Sequence, residues 1–415
     1  MKRVLLLLPV ASYRNEDFLA AAKRLDVEVI SVANHCHQLA PGWGMSPIQS
    51  VPFDQPLIAL KQLQTALGRR PDAVLAVDDS GVELAALLCE HLYLPGNPPE
   101  AVRQTRDKLA FRNLQRRGGL RCPEYFHLLG YEPVQALPPQ LRYPVVVKAR
   151  RLSASRGVVR ADTPQAYAQA VQWVRGIQAS ADREAADLGL IVEGFIPGSE
   201  HALEGLLQDG ALRVLALIDK PDPLDGPYFE ETLYLTPSRL PARTQEEIAQ
   251  AVRRACELAG LDSGPIHAEM RVNAQGVWLL EIAARSIGGL CGRMLQHALG
   301  MSLEELILRQ ALRLPLSAAK QDAASGVMMI PIPRQGMYLG ARGLEQAQAV
   351  AGISGVQITA SPGQLIAPPP DGASYLGFIF ARGDSPAAVE ASLRAAHAQL
   401  EFDIQAAQPL SAARA

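Results

Sequence analysis

The first hundred residues alternate between short apolar runs and amphipathic stretches. Residues 4–10 form an apolar run of strand length, 17–25 carry apolar positions at helical spacing, and 27–32 read as strand again. A further strand over 73–77 ends at Asp78 and Asp79, and an apolar helix over 82–92 follows it. Such alternation predicts a parallel α/β sheet. Pro95, Gly96, Asn97, Pro98 and Pro99 make a turn-rich joint and the first boundary. Beyond it the pattern predicts a basic helix over 100–117 and strands near 143–149, 189–195, 203–207 and 212–218. A helix over 245–259 leads into two strands, 266–272 and 277–283. Pro, Ser and Ala then interrupt a helical segment at 314–325, and short strands, a triple-proline loop at 368–370 and an Ala-rich helix over 386–400 complete the chain. The expected organisation is α/β and α+β multidomain: an N-terminal parallel α/β unit (1–98), a central α+β unit (99–318) and a small C-terminal α+β unit (319–415).

Composition narrows the function. With 48% hydrophobic and 20% charged residues, the 415-residue chain is globular. Its 40 basic and 42 acidic residues leave a formal charge of −2, so no general basic field draws nucleic acid or an anionic membrane. Five scattered Cys without a CxxC indicate neither a disulfide framework nor a zinc knuckle. The apolar run at 5–8 is too short for a signal peptide and no small-residue cleavage site follows, so a soluble cytoplasmic protein is expected. Neither G-x-G-x-x-G after the first strand nor G-x-x-x-x-G-K-[ST] occurs, and any nucleotide is held by other means. Only seven of the basic residues are Lys, which singles out Lys148 at the end of an apolar strand.

The two strands near 270 carry the strongest chemical signal. If their loop is the three residues 274–276, Val272 pairs with Trp278 and Glu269 lies directly opposite Glu281. Facing side chains are roughly 5 Å apart at Cβ, and two carboxylates there need a cation or a shared proton. A two-residue loop instead shifts the register by one and sends the two Glu to opposite faces. Lys148 is followed by a Ser- and Arg-rich turn over 150–157 ending in Gly157, a composition suited to phosphate. Glu193, Phe195, Ile196 and Glu200 join an apolar strand to a Pro-Gly turn.

Taken in order, these segments resemble the ATP-grasp superfamily over nearly the whole chain, and that resemblance implies an ATP-grasp fold. Lys108, within Thr105, Arg106, Asp107 and Lys108, matches the phosphate-binding Lys of the family's linker helix, and Lys148 matches its second. Ser153, Ser155, Arg156 and Gly157 fall in the loop over the triphosphate. Glu193, Phe195 and Ile196 match the adenine hinge, and Glu200 the ribose-binding acid. Glu269 and Glu281 fall on the metal-binding carboxylates, implying ATP with Mg²⁺, or Mn²⁺, as cofactors. His267, Arg285, Gly288, Gly289 and the segment at 229–237 resemble the L-amino-acid ligase group of carboxylate–amine ligases, as does the tail at 328–333 and 373–381. The implied reaction passes through an acyl phosphate and gives ADP and an amide, a dipeptide-synthetase type of chemistry. Arg285 is the candidate grip on the carboxylate or the transferring phosphoryl group, and Glu231 the candidate partner of a substrate amino group. Tyr234, His267, Gly288 and Gly289 are expected at the substrates, with Lys220 in the same cavity. The family places an Asn two residues after the second Glu where Ala283 stands here, and some ligases of the group have a His where Tyr234 stands. Small-molecule carboxylate and amine substrates are the expected partners, and the resemblance also allows a homodimer. The alternatives are a thiol or carboxylase-type nucleophile, or a nucleotide-binding protein without turnover.

Other residues read more blandly. His35, Cys36 and His37 sit at adjacent positions, which point opposite ways in a strand. Cys291 is expected to pack rather than attack. Asp78 and Asp79 either face a ligand crevice at a strand end or cap the next helix with Ser80.

Overall fold

The computed structural model describes residues 1–10, 12–34, 49–130, 133–134, 136–181, 185–316, 323–372 and 374–406. The apolar runs near the N-terminus form strands Arg3–Leu8, Glu28–Ala33 and Ala73–Ala76, which with Gln49–Ser50 make a parallel sheet. Val4, Leu6 and Leu8 enter one core cluster while Leu5 and Leu7 enter another. Burial on both faces explains why the run is continuously apolar rather than alternating. His35, Cys36 and His37 lie outside the described residues.

Next come two antiparallel sheets. The smaller is ordered Tyr125–Leu128, Leu190–Gly194, Val145–Ala149 and Val158–Ala161, and helix Pro164–Ala181 packs on it. The larger has eight strands, in the order Gly276–Ala283, Gly264–Asn273, Ser199–Gln208, Ala211–Lys220, Leu233–Thr236, Ala324–Ile330, Gly377–Gly383 and Ile353–Ile358. It draws strands from both sides of residue 318. One buried cluster joins Val4 and Leu6 of the N-terminal sheet, Ala202 and Leu206 of the long sheet, and Val327 and Phe378 beyond residue 318. Among the described residues, no helix is long and apolar enough to cross a membrane.

The helix expected over 100–117 is in fact two, Pro99–Arg106 and Lys108–Arg117. Asp107 between them is extended, and its carboxylate accepts hydrogen bonds from the backbone N–H groups of Leu109 at 3.0 Å and Ala110 at 3.3 Å. A short acidic side chain there satisfies N–H groups that the second helix leaves without partners. Periodicity alone passes over the break because it interrupts the pattern at one position. Lys108 thus opens the second helix, and its backbone N–H bonds the Arg150 carbonyl at 3.0 Å.

Candidate active site

The hairpin near residue 270 has a two-residue loop, not three. Asn273 pairs with Gly276, and Val272 with Val277 rather than Trp278. The Asn273 carboxamide oxygen accepts from the Gln275 N–H at 2.9 Å and the Trp278 indole at 3.2 Å, which holds the turn tight. This register by itself would send Glu269 and Glu281 to opposite faces. A β-bulge at Leu280 resets it: Met270 pairs with Leu279, and Glu269 with Glu281. The carboxylates therefore face each other, by a different route from the one expected.

Along Gly264–Asn273 the side chains alternate. Ile266, Ala268 and Met270 enter the core, while His267, Glu269 and Arg271 share the opposite face. There the Lys220 ammonium is bonded to Glu200 and Glu269, each at 3.0 Å, and to Glu231. Burial opposes its charge, but Glu231, Glu269 and Glu200 outweigh burial and hold the Lys220 pKa well above its usual range. Burial and the two flanking carboxylates raise that of Glu231. The His267 imidazole lies between Glu204 and Glu269, and although burial disfavours its charge, these partners push its pKa up to about 9. Glu204, fully buried, also accepts from the Ile287 N–H at 3.1 Å. Arg271 reaches Glu200 at 3.0 Å and the Ile196 carbonyl at 2.9 Å. Its guanidinium and that of Arg160 flank the Phe195 ring, 4.9 and 4.2 Å from its centre.

Basic groups line the other side. Lys108 donates to the Leu152 carbonyl at 2.6 Å, and its ammonium is 3.7 Å from Glu281. Lys148 is 2.5 Å from Glu193, which Arg112 grips with two hydrogen bonds of 2.8 and 3.1 Å. Burial alone would raise the Glu193 pKa, yet Arg112 and Lys148 bring it down to about 2. Burial, only partly offset by Glu193, lowers that of Lys148.

These groups surround a cavity of about 760 Å³. Every residue expected at the site lines it except Gly157 and Lys220. Gly157 has φ +64° and ends the 151–157 loop against a second, smaller cavity. Lys220 lies beneath the wall with 2% of its side chain exposed. Glu200, expected at a ribose, has both carboxylate oxygens engaged, one by Lys220 and one by Arg271. Arg285 borders the cavity, donating to the Ser286 carbonyl at 3.1 Å and standing 3.8 Å from Asp79. Both readings of the aspartate pair apply: Asp78 accepts from the Ser80 N–H and hydroxyl, and both aspartates line the cavity. Gly289 has φ +58°, and a Cβ there would come within 3.3 Å of the Phe378 ring. Cys291 is buried, and burial keeps its thiol protonated.

Three carboxylates, Glu200, Glu231 and Glu269, offer oxygens within 4.8 Å of one another, with Lys220 bonded to each. Glu281, across the hairpin, is less engaged, its ion pair being the distant one with Lys108. Donors that are all carboxylate oxygens fit a hard cation such as Mg²⁺ or Mn²⁺ and not a thiophilic one.

Residues 141–294 match the family model of an ATP-grasp domain, and residues 328–405 that of the L-amino acid ligase C-terminal domain 2. The chain carries an ATP-grasp domain followed by an L-amino acid ligase C-terminal domain. The fold of this ATP-grasp protein superposes on the crystal structure of L-amino acid ligase from Bacillus licheniformis with a TM-score of 0.81 at 25% identity, covering 98% of this chain and 99% of that one. Carnosine synthase 1 of Gallus gallus is 31% identical over 286 residues, 65% of this chain and 30% of its own length. Alanine–anticapsin ligase of Bacillus subtilis strain 168 is 25% identical over 253 residues, 57% of this chain and 53% of its own. The chain thus spans about a third to a half of the length of these two relatives.

Several residues of the ATP-grasp site escaped the sequence reading. Arg271 carried a usable signal, since with His267 and Glu269 it shares the polar face of a strand whose other face is apolar, whereas Glu204 alternates with the buried Ala202 and Leu206 and carried none. Arg112, four residues after Lys108, gives no sign in the sequence that it is buried against Glu193.

Proposed function

We propose that this protein is an ATP-dependent, ADP-forming ligase that joins an amino acid carboxyl to an amine. The observation that carries the reading is the bulge: it turns Glu269 and Glu281 together onto the cavity that Lys108, Lys148 and Arg285 also line. Two relatives bear the names of a synthase and a ligase, which supports the same chemistry.

Lys108 and Lys148 lie where they neutralise a triphosphate, with the 151–157 loop over it. Phe195 and Ile196 lie at the adenine. Glu269 and Glu281 would hold Mg²⁺, which when bound screens the charge of phosphate oxygens. Arg285 grips the substrate carboxylate through paired donors. The carboxylate oxygen attacks the γ-phosphorus, giving an acyl phosphate and ADP. The amine nitrogen then bonds the acyl carbon, the C–O bond to phosphate breaks, and the nitrogen gives up a proton. Four carboxylates (Glu200, Glu204, Glu231, Glu269) face three cations (Lys220, Arg271, protonated His267) in this wall, and the excess of one carboxylate suits a substrate ammonium, with Glu231 as its partner at the cavity.

The test is ADP and phosphate release from Mg-ATP with amino acids singly and in pairs, with mass spectrometry of the products. ADP together with a mass equal to a pair minus water is the expected result. No ADP with any pair would sink the amino acid ligase reading. Asp107 gives a smaller, separate prediction. Asp107→Ala removes the helix cap and the paired hydrogen bonds to Arg150, costs about 2–3 kcal/mol in denaturant unfolding, and raises the KM for ATP by loosening the start of the helix that carries Lys108.

A further inference from the structure

A second cavity of about 240 Å³ adjoins the first, and residues 154–156 and 158, Phe229, Ser374 and Tyr375 border both. The two are separated by a pair of consecutive acids. Glu231 lines the large cavity and bonds Lys220, whereas its neighbour Glu230 lines the small one. The Glu230 Oε1 atom is buried and has no hydrogen-bond partner. An unsatisfied buried carboxylate oxygen is costly unless something donates to it. Trp173 and Tyr228, whose rings are 5.9 Å apart, line the same cavity together with Phe229 and Tyr375. Asp371 adds a second carboxylate, and among the described residues Arg156 is the one basic residue lining this cavity. Aromatic rings and carboxylates lining one cavity attract an ammonium or guanidinium ion, by ring quadrupole and by charge. They repel an anion and leave a neutral chain without a partner for Glu230.

We infer that this cavity is a subsite for a second cationic group on the amine substrate, so that the preferred amine is a diamine or a basic amino acid. The inference rests on the ligase reading for the direction in which the molecule lies. Its reacting nitrogen enters the large cavity beside Glu231, and its chain passes between Phe229 and Tyr375. The remote ammonium bonds the free oxygen of Glu230 and faces Trp173 and Tyr228. Selectivity then comes from the remote charge, because an uncharged chain of equal length leaves the buried Glu230 Oε1 atom unpaired.

The experiment is calorimetric titration of the full chain, in Mg²⁺ and a non-hydrolysable ATP analogue, with lysine, ornithine and cadaverine against norleucine and pentylamine. Lysine and ornithine are expected to bind at least ten times more tightly than norleucine, and cadaverine at least ten times more tightly than pentylamine, which lacks the remote ammonium. Glu230→Gln should erase that difference, and binding of the ATP analogue to the same variant reports that it is folded. Equal affinities in the wild type, no binding of the cationic compounds, or discrimination that survives Glu230→Gln would each overturn the subsite. Turnover is read separately by ADP release. Charge-selective binding without ADP under any pairing would keep the subsite and defeat the ligase reading, whereas ADP with no charge selectivity would do the reverse.

Discussion

Replacing Glu281 by alanine is expected to lower ADP release on the order of 10³-fold, about 4 kcal/mol of transition-state stabilisation, while leaving the fold intact. The two facing carboxylates differ in what else they hold. Glu269 is bonded to Lys220 and His267, so its removal leaves two buried cations short of a partner. Glu281 has a quarter of its side chain exposed, and its ion pair with Lys108 spans 3.7 Å. Glu281→Ala thus removes a ligand with little cost to packing, and the melting temperature of the variant should stay near that of the wild type. Glu269→Ala, by contrast, should lower both activity and stability. Turnover at the wild-type rate in Glu281→Ala would remove that residue from the metal site. Raising Mg²⁺ should recover part of the lost rate if weakened cation binding is the cause, and the recovery should be absent if Glu281 acts only by pairing with Lys108.

The second large effect is on stability. Glu193→Gln is expected to destabilise the protein by about 3–5 kcal/mol, because it leaves the buried Arg112 and Lys148 facing a neutral amide. All three side chains are at most 9% exposed, so solvent offers little compensation. The sign with pH follows from the depressed Glu193 pKa. Its stabilising contribution is fully present above the ordinary carboxylate value of 4.5 and is lost as pH falls towards about 2. The gap between wild type and variant should therefore be wide and flat from pH 5 to 8 and narrow below 4.5, measured by denaturant midpoints. A gap that is unchanged at pH 3, or absent at pH 7, would contradict the network.

The sequence was most legible where periodicity and chemistry agreed. Continuous apolar runs at 4–8 and 73–76 are what a sheet buried on both faces demands, and they are the parallel strands observed. Legibility failed where one side chain decides local geometry. Asp107 splits a helix that its neighbours alone would continue. The facing of Glu269 and Glu281 was anticipated from a three-residue loop, but it comes from a two-residue loop corrected by a bulge at Leu280. Nothing in a strand's alternation announces a bulge in the middle of an apolar run. Lys220 shows another limit: its position near Glu231 was expected, yet three carboxylates converging on it from separate strands and a loop is a property of tertiary packing.

The long sheet has a consequence for how such a protein changes over time. Leu233–Thr236 pairs with Ala324–Ile330 through four residues in register, and Phe378, on the next strand but one, sits against Gly289 at the cavity wall. A tail exchanged from another chain would have to supply a matching edge strand as well as a new wall. Inheritance of substrate preference through the tail is therefore tied to inheritance of a strand register. Small substitutions at positions such as Phe378 and Tyr375, which border the cavity, offer a way to vary the wall without disturbing the ladder.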